Sequence, residues 1–274
     1  MKPNFLVIGA MKCATTSLTD IFSQHPQMFV STPKEPDFFC DDAVFAHGWS
    51  WYESLFAGAE GRLAVGEGST GYTKQKLHPD ASERVAKHLP DAKLIYIVRH
   101  PIERIESHWL HLVAAGEDVP PLAQALQKWP HIVDTSLYWK QISAYRRLYP
   151  DERMLVLFVE DFAREPEVVI GRCYKFLGVD PKIAAADPAT PSHVSGSKRM
   201  DGSLIRRLQQ MPAARAIKNL APGLARAIMP LFRKPLPGRP EWPAELRREV
   251  ARQIKDDAAE FLRFYGQPAD FWKL

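Results

Sequence analysis

The chain has 274 residues, a length that accommodates one large domain or two small ones and a sizeable core without help from metals or disulfides. Hydrophobic residues make up 46% and charged residues 25%, which excludes disordered, fibrous and collagen-like chains. The formal net charge of +4 is too small to indicate a nucleic-acid partner, for which a clustered basic face is expected, and fits a small anion held by a few basic groups.

The cysteines and the N-terminus bear on the cellular compartment. Cys13, Cys40 and Cys173 are an odd number without a CxxC pair, so neither a disulfide framework nor a metal site is predicted. The apolar run within MKPNFLVIGA is far shorter than the ~18 residues of a membrane span, and it lacks the long apolar region of a signal peptide. We expect a soluble, cytoplasmic protein with reduced thiols and no transmembrane segment.

Short apolar runs that are typical of buried strands alternate with segments of helical character. This alternation predicts an α/β fold in which a parallel sheet is flanked by helices. In chain order the predicted elements are strand Asn4–Gly9, helix Thr16–Ser23, strand Leu63–Val65, helix Asp80–His88, strand Lys93–Val98, helices Ile102–Ala115 and Leu137–Tyr149, and strand Met154–Val159.

Strand signals stop after Val179, where a polar loop over residues 180–202 is predicted and the remainder is expected to be helical. Ala213–Lys234 has a basic amphipathic pattern, and a further helix is predicted over Pro243–Tyr265. The amphipathic segment is open to several interpretations: packing on the sheet, a lid, a homodimer face, or a contact with a lipid-like acceptor. We predict a single domain over 1–274, with an α/β core over 1–200 and a helical C-terminal extension over 201–274.

The first predicted strand leads into a loop that carries Lys12 and is followed by Thr15, Thr16 and Ser17. Unpaired N–H groups and the helix dipole at such a position favour a phosphate or sulfate. The loop is not a Walker A motif, which would require glycine in place of Ala14 and lysine in place of Thr15. The alternative is an ordinary turn in which serine and threonine cap the helix.

Arg99 ends the predicted strand Lys93–Val98, and Ser107 lies about two turns into the helix that follows. An arginine at the carboxyl end of a parallel strand points into the crevice where open α/β sheets bind ligands. Arg99 would hold a phosphate in a bidentate manner, with Ser107 as a further donor. The alternative is that Arg99 pairs with Glu103 or Glu106.

The segment Ser31–Phe39 is a short loop in which Lys34 and Glu35 are flanked by prolines. A carboxylate held close to an anion site can act as the general base for a hydroxyl, which makes Glu35 a candidate. A solvated loop charge is the alternative.

A second basic loop, Ser192–Met200, contains Ser197, Lys198 and Arg199. These side chains would close over an anionic ligand, or else belong to a polar surface loop. His108, His111, Asp41 and Asp42 are interpreted as surface groups.

In this order, these segments resemble the sulfotransferases that use 3′-phosphoadenosine 5′-phosphosulfate (PAPS), especially the branch of the heparan sulfate enzymes and their bacterial relatives. The resemblance covers most of residues 4–200. Val7–Ser17 is similar to the 5′-phosphosulfate loop of the family, Arg99 and Ser107 to its 3′-phosphate pair, and Lys34–Phe39 to its KEPHFF-type element. Further similar segments are Gly66–Thr73 and Val159–Val179.

The resemblance implies a P-loop-like sulfotransferase fold and in-line transfer of a sulfuryl group from PAPS to an acceptor hydroxyl or amine, with 3′,5′-ADP as the product. It implies that Lys12 neutralises the leaving oxygen, that Glu35 is the base, and that no metal is needed. The cofactor-binding residues that it implies are Lys12, Cys13, Ala14, Thr15, Thr16, Ser17, Arg99, Ser107, Ser197, Lys198 and Arg199.

The acceptor stays open among a carbohydrate, a glycolipid and a small natural product. Asp37 stands where the sugar enzymes usually have histidine, and Gly68 where several have lysine. Aromatic residues of the same region fit either an acceptor pocket or the core: Phe38, Phe39, Trp49, Trp51, Tyr52 and Tyr72.

Two other functions remain open from the residues alone. A P-loop nucleotide kinase or NTPase with a degenerate loop would bind ATP tightly and require Mg²⁺. A non-catalytic adenine-nucleotide sensor would bind its ligand without consuming an acceptor.

Overall fold

The computed structural model describes residues 1–116, 118–183, 199–201, 233–235 and 238–274, with residues 199–201 and 233–235 as backbone only. The strands are β1 (Phe5–Gly9), β2 (Met28–Val30), β3 (Ala64–Gly68), β4 (Lys93–Val98), β5 (Met154–Phe158), β6 (Arg199–Asp201) and β7 (Arg233–Pro235). The helices are α1 (Thr15–Gln24), α2 (Asp42–Phe45), α3 (Trp49–Ser54), α4 (Ala81–His88), α5 (Pro101–Ala114), α6 (Leu122–Lys128), α7 (His131–Asp134), α8 (Tyr138–Arg146), α9 (Val159–Arg164), α10 (Pro166–Leu177) and α11 (Ala244–Phe264). Short 3-10 turns cover Thr70–Thr73 and Asp151–Arg153.

The first five strands form one parallel sheet in the order β2-β3-β1-β4-β5. Strand β1 is central: the next two strands of the chain lie on one side of it, and the following two lie on the other. The strand order therefore reverses between β1 and β4. In open parallel sheets, ligands bind beyond the carboxyl ends of the strands at such a reversal.

The predicted α/β class is confirmed, with a parallel sheet flanked by helices. Every residue of β1 and β3 is buried, and β1 has the continuous apolar run expected of a central parallel strand. The predicted strand Leu63–Val65 overlaps β3, which begins at Ala64 and continues to Gly68 through the buried Glu67. The predicted strand Lys93–Val98 matches β4 residue for residue. Strand β2 was not predicted, because its three residues are too short for a periodic signal.

The expectation that no strand follows Val179 is wrong. Strands β6 and β7 pair in antiparallel fashion, with Arg199 opposite Pro235. Both have only three residues and little apolar character, and they pair across a long stretch of chain, so no local pattern announces them. The amphipathic segment Ala213–Lys234 lies outside the described residues except for its last two positions, which belong to β7.

The C-terminal helix packs against the sheet. The ring of Phe261 on α11 lies within about 6 Å of the rings of Tyr96, Tyr138 and Phe158. Asp257 accepts hydrogen bonds from the backbone N–H groups of Trp139 and Lys140 at the start of α8. This helix begins and ends within one residue of its predicted bounds.

The aromatic residues that follow β2 belong mainly to the core and not to a pocket. The rings of Phe38 and Tyr52 stack at 4.4 Å between centroids, and Phe39 contacts Tyr72 at 5.6 Å. All four side chains are buried, which decides between the two interpretations in favour of packing.

Candidate active site

The carboxyl ends of all five parallel strands surround a cavity of about 370 Å³. The loop after β1 and the first turn of α1 line one side, and the loop after β2 lies near them. The segments that follow β3, β4 and β5 contribute Thr70, Arg99 and Val159. The predicted site residues that line the cavity are Lys12, Ala14, Thr15, Thr16, Ser17, Glu35, Arg99 and Ser107.

The turn between β1 and α1 has an unusual backbone. A Cβ atom at Gly9 would lie 2.0 Å from the Thr73 hydroxyl oxygen, so only glycine fits at the end of β1. Lys12 and Ala14 have φ angles of 70° and 60°, in the left-handed region that non-glycine residues seldom adopt. Such conformations persist where the surrounding structure holds them, and they occur often at functional sites.

This turn leaves the start of α1 open to a ligand. Ala14 is the N-cap residue, and among the described residues no side chain caps the helix. The N–H groups of Thr15, Thr16 and Ser17 have no acceptor within the helix, because they precede its first hydrogen-bonded turn. These groups and the helix dipole suit an anion such as a phosphate or a sulfate.

Cys13 lies in the same loop but faces the core. Its thiol is 3.8 Å from the Tyr138 hydroxyl, and its backbone N–H donates to the carbonyl of Ala10 at 3.1 Å. Burial raises the pKa of the thiol to about 11, so the sulfur stays protonated. The side chain of Cys13 packs in the core under the loop. Contact between Cys13 and a cofactor stays a prediction.

Arg99 lies in the cavity and also forms the ion pair that was the alternative interpretation of its sequence position. It lines the cavity, and its Nη2 donates to Glu103 Oε2 at 2.5 Å. Its Nε is buried and has no hydrogen-bond partner among the described residues. A buried donor without a partner is costly, and a bound anion would satisfy it. The Tyr138 hydroxyl donates to the carbonyl of Arg99 at 2.8 Å and so fixes the end of β4.

The Lys34–Glu35 pair connects the loop after β2 to α1. Lys34 Nζ donates to Glu35 Oε1 at 2.7 Å and to Thr16 Oγ1 at 2.8 Å. The Thr70 hydroxyl donates to Glu35 Oε2 at 3.4 Å. In the sequence Lys34 stands out only as a neighbour of the candidate base. Its contact with Thr16 joins two loops that are distant in the sequence, so no local pattern could reveal it.

The two histidines that were interpreted as surface groups differ from one another. His111 is exposed, as expected, and it lines the cavity. His108 is buried, contrary to the prediction, because its Nδ1 meets the guanidinium of the buried Arg104 at 3.3 Å. Burial lowers the pKa of His108 to about 2, so this ring is neutral.

A buried carboxylate supports the loop that carries Glu35. Glu67, at the end of β3, accepts hydrogen bonds from the hydroxyls of Tyr72 at 2.5 Å, Ser69 at 2.8 Å and Tyr52 at 3.3 Å. The Ser69 oxygen in turn accepts the backbone N–H of Asp37 at 3.0 Å. Burial raises the pKa of Glu67 to about 7.

We expect Glu67→Gln to remove a pH dependence of folding stability. The pKa of Glu67 rises from 4.5 to about 7 on folding, so its contribution to stability is complete below about pH 4.5 and is lost as the pH rises through 7. The shift corresponds to ~3 kcal/mol at most. Urea unfolding at about pH 5 and about pH 8 measures it, and the wild type should lose stability relative to the variant. Parallel pH dependences of the two proteins would contradict this account.

The remaining predicted residues belong to the second basic loop. Ser197 and Lys198 lie outside the described residues, and Arg199 is the first residue of β6. Cα atoms of β6 come within 8 Å of Cα atoms of α5, the helix that carries Ser107. Within the described ranges, no cluster of three or more histidine, cysteine, aspartate or glutamate side chains is arranged to hold a metal ion. Over the same ranges, no helix has the length and apolar character needed to cross a membrane.

Comparisons with known proteins agree with this geometry. Residues 2–192 match the family model described as the sulfotransferase domain. The chain is 27% identical over 186 residues to heparan sulfate glucosamine 3-O-sulfotransferase 6 of Homo sapiens, covering 65% of this chain and 52% of that protein. It is 26% identical over 210 residues to bifunctional heparan sulfate N-deacetylase/N-sulfotransferase 3 of Mus musculus, covering 69% of this chain and 24% of that protein. The matched region thus spans about half, or less, of the length of these relatives.

A solved structure has a similar fold. The crystal structure of a sulfotransferase from Alicyclobacillus acidocaldarius superimposes with a TM-score of 0.72 at 23% identity and covers 100% of both chains. At this identity the likeness shows the fold, a P-loop-like sulfotransferase fold. The family itself is shown by the match of its model to residues 2–192, which contain every described residue of the cavity. The chain therefore belongs to the sulfotransferase domain family.

Proposed function

We propose that the protein transfers a sulfuryl group from PAPS to an acceptor hydroxyl or amine and releases 3′,5′-ADP. One observation carries the proposal: a single cavity is lined both by the loop after β1 and by Arg99 after β4, two separate positions that each suit an anion. A donor with phosphate groups at both its 5′ and 3′ positions matches two such sites. The uncapped start of α1 and the unpartnered Nε of Arg99 support this fit.

Each side chain has a role in this scheme. The N–H groups and hydroxyls of Thr15, Thr16 and Ser17 hold the 5′-phosphate, with the backbone of Cys13 and Ala14 in the turn. Arg99 and Ser107 hold the 3′-phosphate. The basic loop closes over the nucleotide through Ser197, Lys198 and Arg199. PAPS supplies the activated sulfuryl group, and the protein positions it and balances its charge.

The proposed transfer forms one bond to sulfur and breaks another. The acceptor oxygen or nitrogen forms a bond to sulfur, and its proton passes to Glu35. The bond between sulfur and the phosphate oxygen breaks with both electrons on that oxygen, where Lys12 neutralises the charge. Such transfers depend mainly on positioning and on stabilising charge at the leaving oxygen. A sulfuryl group carries less negative charge than a phosphoryl group, so a lysine and backbone amides suffice without a metal.

Calorimetry with 3′,5′-ADP and with ATP, each with and without Mg²⁺, tests the donor. The proposal expects a preference for 3′,5′-ADP that does not depend on Mg²⁺, whereas the kinase or NTPase alternative expects tight ATP binding that requires it. Transfer of labelled sulfate from PAPS into a cell extract then separates an enzyme from an adenine-nucleotide sensor. Absence of any heat with 3′,5′-ADP would overturn the proposal.

The acceptor is proposed only as a class: a carbohydrate, a glycolipid or a small natural product. Relatives named as 3-O- and N-sulfotransferases of heparan sulfate support a hydroxyl or an amine as the reacting group. Asp37 accepts the thiol of Cys40 at 3.4 Å, and burial raises the pKa of its carboxyl. This carboxyl stands where the sugar enzymes usually have histidine. The proposed surroundings of the acceptor therefore contain a carboxyl group in place of an imidazole.

Location and organisation are also proposals. All three cysteines are free and buried, which supports a reducing, cytoplasmic compartment. The packing of Phe261 against β4 and β5 supports a single domain over residues 1–274. A homodimer stays a prediction.

Arg99→Met is expected to weaken 3′,5′-ADP binding about 10- to 100-fold, because it removes charge-assisted hydrogen bonds to the 3′-phosphate. The affinity for 5′-AMP, which lacks that phosphate, should change little. Glu103→Gln is the matched control, since it removes the ion pair of Arg99 but keeps the guanidinium. Calorimetry with both nucleotides measures the effect, and an equal loss for the two would place the 3′-phosphate elsewhere.

A further inference from the structure

We propose that Lys34 is a positioning residue that couples occupancy of the donor site to the state of the base, Glu35. The inference rests on the proposed function, since it takes the 5′-phosphate of the donor to lie against α1. One ammonium group contacts both sites: Thr16 Oγ1 at 2.8 Å and Glu35 Oε1 at 2.7 Å. Lys34, Thr16 and Glu35 all line the cavity.

Folding stability does not account for this arrangement. The side chains of Lys34 and Glu35 are 32% and 35% exposed, and ion pairs at such positions contribute little to stability. The adjacent residues also meet in an unusual backbone, because Glu35 has a φ angle of 54°. The pair adds little to stability, yet it is held in a strained loop that faces the cavity. A role in that cavity explains the arrangement better.

The contacts predict what happens when a nucleotide binds. A phosphate bound at the start of α1 lies next to Thr16, whose Oγ1 accepts a hydrogen bond from Lys34. The phosphate therefore attracts the ammonium of Lys34. Glu35 then shares its cation with a second anion, and a carboxylate with a weaker cationic partner holds a proton more readily. The base becomes a stronger proton acceptor only when the donor is in place.

The same movement of the Lys34 ammonium, from Glu35 toward the phosphate, matches the shift of negative charge during transfer. Negative charge disappears from Glu35 when it accepts the proton of the acceptor, and negative charge appears on the 5′-phosphate when the S–O bond breaks. Lys34 contacts Glu35 and also Thr16, which is proposed to hold the 5′-phosphate, so its ammonium can turn from the first to the second without leaving the cavity. Lys12 is assigned to the leaving oxygen, whereas Lys34 links that event to the base.

Other charged groups near Glu35 set the background for any titration. Asp37, from the same loop, and Lys74, after the 3-10 turn, interact electrostatically with Glu35. Lys12, Arg99 and His111 line the same cavity. The Thr70 hydroxyl also donates to Glu35, at 3.4 Å. The coupling is assigned to Lys34 because its single ammonium group contacts both Glu35 and Thr16.

Calorimetry with 3′,5′-ADP as the probe tests the coupling. Titrations at about pH 6 in two buffers of different ionisation enthalpy give the number of protons taken up on binding. The proteins are the wild type, Lys34→Met, Lys34→Arg, Glu35→Gln and the double variant Lys34→Met with Glu35→Gln. Lys255→Met, at an exposed position of α11, is the matched control. Because Lys34 is proposed to contact the phosphate as well, the comparison of the wild type with Glu35→Gln, which keeps Lys34, separates proton uptake by Glu35 from uptake by the nucleotide phosphates.

The wild type is expected to take up more protons than Lys34→Met or Glu35→Gln, and the double variant no fewer than either single variant. Lys34→Met should also weaken 3′,5′-ADP binding about three- to tenfold. Lys34→Arg, which keeps the charge, should retain the uptake. A wild type that binds 3′,5′-ADP with the same affinity and uptake as Lys34→Met would overturn this inference alone. A wild type that does not bind 3′,5′-ADP would overturn the proposed function, and this inference with it.

Discussion

Replacing Lys12 with methionine is expected to lower sulfuryl transfer from PAPS by about 10²- to 10³-fold, the usual loss when a single charge-stabilising donor is removed from an active site. Lys12 lies in the turn between β1 and α1, beside the helix start that is proposed to hold the 5′-phosphate. Its ammonium would neutralise the oxygen from which sulfur departs. That charge is larger in the transition state than in the bound substrate, so the loss should fall on kcat rather than on KM.

Methionine is the informative replacement at this position. Lys12 has a φ angle of 70°, and any residue with a Cβ atom meets the same backbone strain there, so methionine keeps the strain and the apolar stem while it removes the charge. Lys255→Met controls for the loss of a positive charge elsewhere. Transfer of labelled sulfate and 3′,5′-ADP calorimetry are measured together. Near-normal turnover in Lys12→Met would refute the assignment.

Sequence reasoning succeeded where the signal was local. The apolar runs of β1 and β4 predicted buried parallel strands, and loops at the carboxyl ends of such strands meet at one edge of the sheet. The sequence alone therefore assigns Lys12 and Arg99 to one crevice. The reversal of strand order between β1 and β4 brings the two loops side by side, and the N–H of Ala10 donates to the carbonyl of Ile97 at 2.7 Å.

What could not be predicted depends on contacts between distant segments. Lys34 meets Thr16 across two loops, and Glu67 is held by tyrosines from α3 and from the 3-10 turn. A glutamate in a strand gives no sign that hydroxyl groups will surround it. His108 was misjudged for a similar reason, since its burial depends on Arg104, which donates to the Ser136 hydroxyl at 2.5 Å.

These contacts support differently the two parts of the cavity that the proposed function assigns to the donor and to the acceptor. The donor part rests on the central strands β1 and β4, where backbone hydrogen bonds between neighbouring strands hold it. The acceptor part rests on the loop after the edge strand β2, whose position depends on the side-chain chain from Glu67 through Ser69 to the N–H of Asp37. The proposed donor residues therefore follow from general rules for parallel sheets, whereas the position of the loop after β2 depends on side-chain contacts that no such rule predicts.

Glu35→Gln is expected to lower transfer by about 10²- to 10⁴-fold, the range associated with loss of a general base. The amide keeps the size of the carboxylate, and its oxygen can still accept the hydrogen bond of Lys34. The Thr70 hydroxyl, which donates to the other carboxylate oxygen, can instead accept from the amide NH2, so the loop should stay in place. Nucleotide binding should change only a few-fold, because the contact of Glu35 with α1 runs through Lys34, which the variant keeps.

The pH dependence separates a base from a positioning group. The wild-type rate should fall toward low pH as a proton occupies the base, whereas the residual rate of Glu35→Gln should lack that fall because the amide does not titrate in this range. Glu60→Gln, at an exposed position, is the matched control. Labelled transfer into the acceptor found in the extract gives both profiles. If the variant kept the wild-type rate across the pH range, proton removal would have to be assigned to another group, and His111, which also lines the cavity, would be the next candidate.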